Sequence, residues 1–213
     1  MVLKIVNESM NIKNAIWIIL FVPYIACSQT ESKPNWSGLY NCEGCEAIYE
    51  GTATSSSIQI APKGEPGEPL NISGIVYESD GRTPAKDIIL YVYHTNHKGI
   101  YPTRGNEKGW GKRHGYLRGW LITNEKGQYE INTIKPAQYP SRTDAAHIHV
   151  TVKEPNRKEY WIDEIVFSDD PLVNDTYRQE QFNRGGSGIV TLRKIQNTWT
   201  GTHNIILAPP DSK

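Results

Sequence analysis

From Ala146 the chain alternates: His147, His149 and Thr151 share one parity, and Ile148, Val150 and Val152 share the other. A strand sends successive side chains to opposite faces. This stretch therefore buries its aliphatic face and presents both imidazoles from the other. Short β-branched or aromatic runs, broken by turn residues, recur along the chain. Residues 70–77 read as a strand and ESDGR (78–82) as a turn. Residues 88–94, IILYVYH, suit a central strand buried on both faces. A long loop follows over 95–118, and loops of that length are usually functional or disordered. Strands at 119–123 and 128–133 flank the turn NEKG. EPNRKE turns into a strand over 160–167, and a hairpin-like pair is expected at 189–193 and 202–207. Only 169–182 has helical character, enough for one short helix. Seven or more short strands at regular spacing predict an all-β fold, an antiparallel β-sandwich with long loops and at most one short helix.

The chain divides into three expected segments: 1–27, 28–66 and 67–213. In the first, Lys13 precedes the apolar run AIWIILFVPYIA (15–26), shorter than the roughly 20 residues a spanning helix needs. It reads as the apolar region of an export signal. The run ends at Ala26-Cys27, which resembles the cleavage and acylation site of a bacterial lipoprotein, with Tyr24 where leucine is usual. Cys27 is then a lipid anchor, the membrane is a partner, and the protein is exported to the cell envelope. A plain secretory signal and an uncleaved anchor are the alternatives, and Met10 is a second candidate start. Residues 28–66, rich in Ser, Gly, Glu and Thr, read as a tether and lead-in. With Cys27 lipidated, Cys42 and Cys45 remain as one pair, which in an exported protein suggests a disulfide. Half a zinc site is the alternative, but no second CxxC completes it. The formal net charge is zero, 23 basic against 23 acidic residues, and no basic block stands out. Nucleic acid is therefore not an expected partner.

Two imidazoles on one rigid face are a common beginning of a metal site, or simply two residues on a solvated face. Further ligands would have to come from nearby loops. Tyr139 stands in IKPAQYP, between two prolines that limit its backbone, and Tyr101 stands in HKGIYP. A phenol keeps its proton at neutral pH unless a strong cation stabilises the phenolate. Two phenolates with two neutral imidazoles form a hard, anionic donor set that favours Fe(III). Taken singly, each tyrosine is as well explained by packing. His94, His97 and His114 are candidates for partners behind the ligands. Trp110, Trp120 and Trp161 line the site mouth or belong to the core.

Together these pieces resemble the catalytic domain of the intradiol ring-cleavage dioxygenases, whose core is a transthyretin-like sandwich. The matching segments are LNISGIVYESDGRTPAKDIILYVYHTNHKGIY, RGWLITNEKGQYEINTIKPAQYP and AHIH. The resemblance covers most of residues 65–207, and implies that Tyr101, Tyr139, His147 and His149 hold a non-haem Fe(III). It further implies that a small aromatic diol of the catechol type reacts with O2 and is cleaved between its two hydroxylated carbons to a muconate-type product. Tyr139 is the ligand displaced by the diol and accepts one of its protons. Asp144 occupies the position where better-known branches carry an arginine, and Arg142 could supply that cation instead. Asn124 replaces a usual aspartate, and no N-terminal helical domain is evident. These departures bear on the substrate.

Two rivals remain. A cupin would use Glu154 with the H-x-H pair, but strand parity puts Glu154 on the opposite face. A non-catalytic transthyretin-like binding module on the cell envelope would leave the tyrosines and histidines as packing or surface residues. No oligomeric state follows from the sequence.

Overall fold

The computed structural model of the chain describes residues 33–140, 144–210 and 212. The expected export signal with Cys27, and Arg142, lie outside the described residues. Among the described residues twelve strands are laid down in order: β1 (Ser57–Gln59), β2 (Pro69–Tyr77), β3 (Ile89–His94), β4 (Arg118–Ile122), β5 (Gln128–Ile134), β6 (His147–Lys153), β7 (Tyr160–Trp161), β8 (Ile165–Phe167), β9 (Ile189–Val190), β10 (Arg193–Ile195), β11 (Thr198–Thr202) and β12 (Ile205–Ile206). One sheet has the order β1-β5-β2-β11-β10, with β12 also on β2; the other has the order β4-β3-β6-β8-β9, with β7 also on β6. The central pairings β2–β5, β3–β4 and β3–β6 are antiparallel. Parallel pairing occurs at β1–β5, β2–β11, β2–β12 and β8–β9, which the expected antiparallel sandwich lacked.

The core lies between the sheets. Leu70, Ile72, Val76 and Ile131 from the first meet Leu90, Val92, Ile148, Val150 and Val152 from the second in one buried cluster. The parity expected of β6 is realised, with Ile148, Val150 and Val152 buried and His147 and His149 on the other face. In β3, Leu90 and Val92 join this core, while Tyr91 faces outward into a second cluster with Ala47 and Ile48, flanked by Trp110 and Trp120. The run IILYVYH is thus apolar throughout because both its faces are covered.

That outer cover comes from the supposed lead-in, and here the expectation of a tether needs correction. Leu39 and Ala47 are fully buried, and Cys45–Tyr49 form a 3-10 turn on the outer face of the second sheet. Gly51 passes so close to Trp120 that a Cβ would fall 2.3 Å from its ring. β1 adds to β5. At Gly44 and Gly51 the missing side chain allows close approach to aromatic rings.

Three other expectations change. The 160–167 run is not one strand: Trp161 pairs with Thr151 and Ile165 with Ile148. Three residues, 162–164, therefore stand opposite two, 149 and 150, which is a β-bulge. The C-terminal hairpin is formed by β10 and β11, turning at Gln196 with φ 54. β9 instead extends β8, and β12 extends β2. Gln-Asn lacks the glycine that normally signals such a turn. Besides the expected helix in 169–182, seen as α2 (Asp175–Glu180), a four-residue helix α1 (Gly111–His114) interrupts the long loop.

Candidate metal centre

His147 and His149 leave the outer face of β6 as neighbours, their Nε2 atoms 3.0 Å apart. The tyrosines arrive from two loops stitched to each other. Thr95 Oγ1 donates to the Ala137 carbonyl at 2.7 Å, and Ala137 N–H donates to the Asn96 carbonyl at 3.1 Å. Gly99, with φ 73, lies where a Cβ would fall 1.8 Å from the Gln138 carbonyl oxygen. Only glycine allows that approach, and it brings the residues that follow, Tyr101 and Tyr139, to the histidines. Tyr101 Oη lies 2.9 Å from His149 Nε2. Tyr139 Oη lies 3.1 Å from His147 Nε2 and 3.4 Å from His149 Nε2. The two phenol oxygens are themselves in hydrogen-bond contact.

The imidazole–phenol and imidazole–imidazole separations suit a common cation, while the two phenol oxygens lie closer together than a metal-bound pair. Atoms held about 2.0–2.1 Å from one ion at roughly 90–110° stand about 2.8–3.4 Å apart. The observed separations between imidazole nitrogens and phenol oxygens fall in that range. His147 Nδ1 faces the Ala145 carbonyl at 2.7 Å, where it can only donate, so its Nε2 carries the lone pair. His149 Nδ1 faces the Glu164 carboxylate at 3.6 Å. Burial, then the neighbouring His149, hold His147 below the ordinary histidine range. Burial pushes the Tyr101 hydroxyl well above the ordinary tyrosine range, and the contact with Tyr139 adds to it. A phenolate there needs a strong compensating charge, which a trivalent ion supplies. Among the described residues no group of three or more His, Cys, Asp and Glu side chains is placed to hold a metal, and a cation at the imidazole pair would need the phenol oxygens as further ligands.

Glu164 was not singled out by sequence reasoning. The bulge at 162–164 turns it to the histidine face, and an acidic pair inside YWIDEIVF was the available signal. Burial pushes its carboxyl up, but the adjacent His149 outweighs that and holds it below the usual range. Tyr93, opposite His149 in the β3–β6 register, stacks on that imidazole at 4.4 Å. His114 stacks on the other face of Tyr93 at 3.8 Å. His94 is buried between Thr133 Oγ1 and the Thr95 carbonyl, away from the donor set, and His97 is exposed. Trp110 lines a cavity, Trp120 packs over Gly51, and Trp161 lies under Arg184. Glu154 accepts from Tyr160 Oη at 2.7 Å and pairs with Arg157, so it is engaged away from the histidines, unlike a cupin ligand. Cys42 and Cys45 are joined as a disulfide.

Two cavities meet at Tyr139 and His149. One, of about 530 Å³, is edged by Asp144, His147, Glu164, Tyr177 and Glu180. The other, of about 620 Å³, is walled by Tyr93, Ile100, Tyr101, Trp110, Arg113 and His114. Either holds a single aromatic ring, and both reach the donor atoms.

The chain is similar to known dioxygenases in sequence and fold. A family profile described as Dioxygenase matches residues 43–195. Catechol 1,2-dioxygenase of Acinetobacter baylyi is 34% identical over 77 residues, 34% of this chain and 22% of that protein. The chain thus spans about a fifth of the length of this curated relative. The dioxygenase domain of a dioxygenase carbohydrate-binding protein fusion from Streptomyces sp. SirexAA-E superposes with a TM-score of 0.56 at 25% identity, covering 74% of this chain and 94% of that one. Catechol 1,2-dioxygenase of Acinetobacter sp. ADP1 shares the fold with a TM-score of 0.53 at 20% identity, over 73% of this chain and 59% of that one.

Proposed function

This chain belongs to the intradiol ring-cleavage dioxygenase family, and on that premise we propose that it cleaves a catechol-type aromatic diol with O2 between the two hydroxylated carbons, giving a muconate-type dicarboxylate. The observation that carries the reading is the convergence of two phenol oxygens and two imidazole nitrogens at the meeting of two cavities. Tyr101, Tyr139, His147 and His149 would hold a non-haem Fe(III). When bound, the ion supplies Lewis acidity that draws electron density from the diolate and readies its ring for O2. Relatives named catechol 1,2-dioxygenase support the substrate class.

The residues of the chain divide the remaining work. His147 is held by the Ala145 carbonyl and stays in place. Tyr139 borders both cavities, as His149 does, and by analogy with the family its hydroxyl is the group that gives way to a diol and takes up one of its protons. Tyr93, Tyr101 and Trp110 offer flat apolar walls that orient an aromatic ring and exclude water. Arg142 is assigned to the charge that builds on the ring, as the cation nearest in sequence to Asp144. The protein is further assigned to the cell envelope through a lipid on Cys27, where an oxidising surrounding suits the Cys42–Cys45 disulfide.

The test is product chemistry. The iron-loaded protein, given catechols of differing substituents and heavy-isotope O2, is expected to yield a ring-opened dicarboxylate carrying both labelled atoms. Arg142→Gln is expected to keep its iron and lose about a hundred-fold in turnover. Unreacted diol, or a product opened beside rather than between the hydroxylated carbons, would overturn the proposal.

A further inference from the structure

We propose that the loop closed by the Cys42–Cys45 disulfide is a positioning element of the metal centre: it holds His114 against Tyr93, and Tyr93 fixes the ring plane of His149. The inference rests on reading Tyr101, Tyr139, His147 and His149 as the ligand set.

The two histidines of β6 are oriented by different means. His147 Nδ1 donates to a backbone carbonyl at 2.7 Å. His149 Nδ1 stands 3.6 Å from Glu164, beyond hydrogen-bond length, so that contact attracts the ring without fixing its plane. The second torsion of a histidine is broad and roughly two-fold, so the plane needs another constraint. Tyr93 provides it, lying over the imidazole at 4.4 Å and 17°.

Tyr93 is held in turn. His114 covers its other face at 3.8 Å and 7°, making a column of three near-parallel rings that ends on a ligand. His114 is fixed by the Tyr91 hydroxyl, 2.8 Å from Nδ1, and by the Trp110 ring at 5.4 Å. From outside, the disulfide loop closes on it. Gly44, with φ 88, lies where a Cβ would sit 2.9 Å from both Cε1 and Nε2 of His114. Cys45 is 2% exposed, and its sulfur meets Thr151 Oγ1 at 3.6 Å, two residues beyond His149 on the same face of β6. Glu50 of the same segment accepts from Trp110 N–H at 2.7 Å and from Arg118 at 2.6 Å, anchoring the helix that carries His114. The segment therefore meets His114 directly and touches the strand that carries His149 two residues away.

The test compares Tyr93→Leu, Tyr93→Phe, Gly44→Ala and the pair Cys42→Ser/Cys45→Ser with the unaltered full chain. Three quantities are read: the His149 ring resonances of the metal-free protein, the affinity for ferric ion, and the energy of the phenolate-to-iron absorption band. Loss of the column is expected to remove the ring-current shift on His149, move the band, and weaken ferric binding about 10–100-fold. Tyr93→Phe keeps the ring and is expected to restore all three. A merely structural role would lower thermal stability but leave the band and the affinity of the folded protein at their original values, and that result overturns the inference. If the unaltered chain takes up no ferric ion, the ligand reading fails by itself. The metal-free resonances then still decide whether the loop orients His149. The serine pair alters none of the aromatic residues of the column, so it decides the matter should the others fail to fold.

Discussion

Charge and proton placement at single residues set the behaviour of the centre. Glu164 is the one carboxylate facing the far nitrogen of a ligand imidazole, among the described residues. Glu164→Ala is expected to weaken ferric binding by about ten-fold or more, read by iron titration, because an outer partner that raises ligand basicity is lost. Two histidines outside the centre govern acid stability. Burial depresses both His94 and His203 to about 4. The unfolded chain takes up protons near 6.5, whereas the folded chain does so only near 4. The contribution of these two histidines to folding stability is therefore complete above about pH 6.5 and falls as pH drops toward 4, each on the order of 2 kcal/mol by pH 5. Denaturant unfolding of the metal-free protein at pH 7 and pH 5 measures this, and His203→Gln is expected to flatten the profile. A flat profile in the unaltered protein would contradict the burial of these rings. Neither histidine advertised its environment in sequence: His94 stands at the end of IILYVYH, but its partners Thr133 and the Thr95 carbonyl are set by the tertiary fold.

At the scale of the element, β6 does two jobs with one alternation: its aliphatic residues join the sheets and its imidazoles face the site. Ile148→Ala removes a fully buried side chain from that joint and is expected to cost about 2–5 kcal/mol, measured by denaturant unfolding. The strands β2 to β6 were legible because each has a period of two or an unbroken apolar run between turn residues. The tyrosine loops were legible as well, since Pro136 and Pro140 limit the backbone around Tyr139 and Pro102 follows Tyr101. The bulge at 162–164 was not, because a bulge is defined by what the partner strand lacks, and one sequence run cannot show it. The same bulge aims Glu164, so the missed element and the missed site residue are one omission. The short parallel additions β9 and β12 were misassigned for a related reason: two-residue strands have no period to read.

For the whole molecule, the disulfide segment and the sandwich act as one body, since Leu39, Cys45, Ala47 and Ile48 are buried against it. A chain begun at residue 67, the boundary that composition suggests, is expected to expose Tyr91 and Trp120 and lose its cooperative unfolding transition, as read by calorimetry. Composition missed this because small residues that allow close packing look like those of a linker. The central claim, that two tyrosines and two histidines form a ferric centre, is tested most directly by iron content and visible absorption after ferric reconstitution of the full chain. One ferric ion per chain is expected, with a phenolate-to-iron band that shifts when a catechol is added without oxygen. Tyr101→Phe and Tyr139→Phe should each weaken that band. A protein that remains colourless and iron-free after reconstitution would contradict the claim.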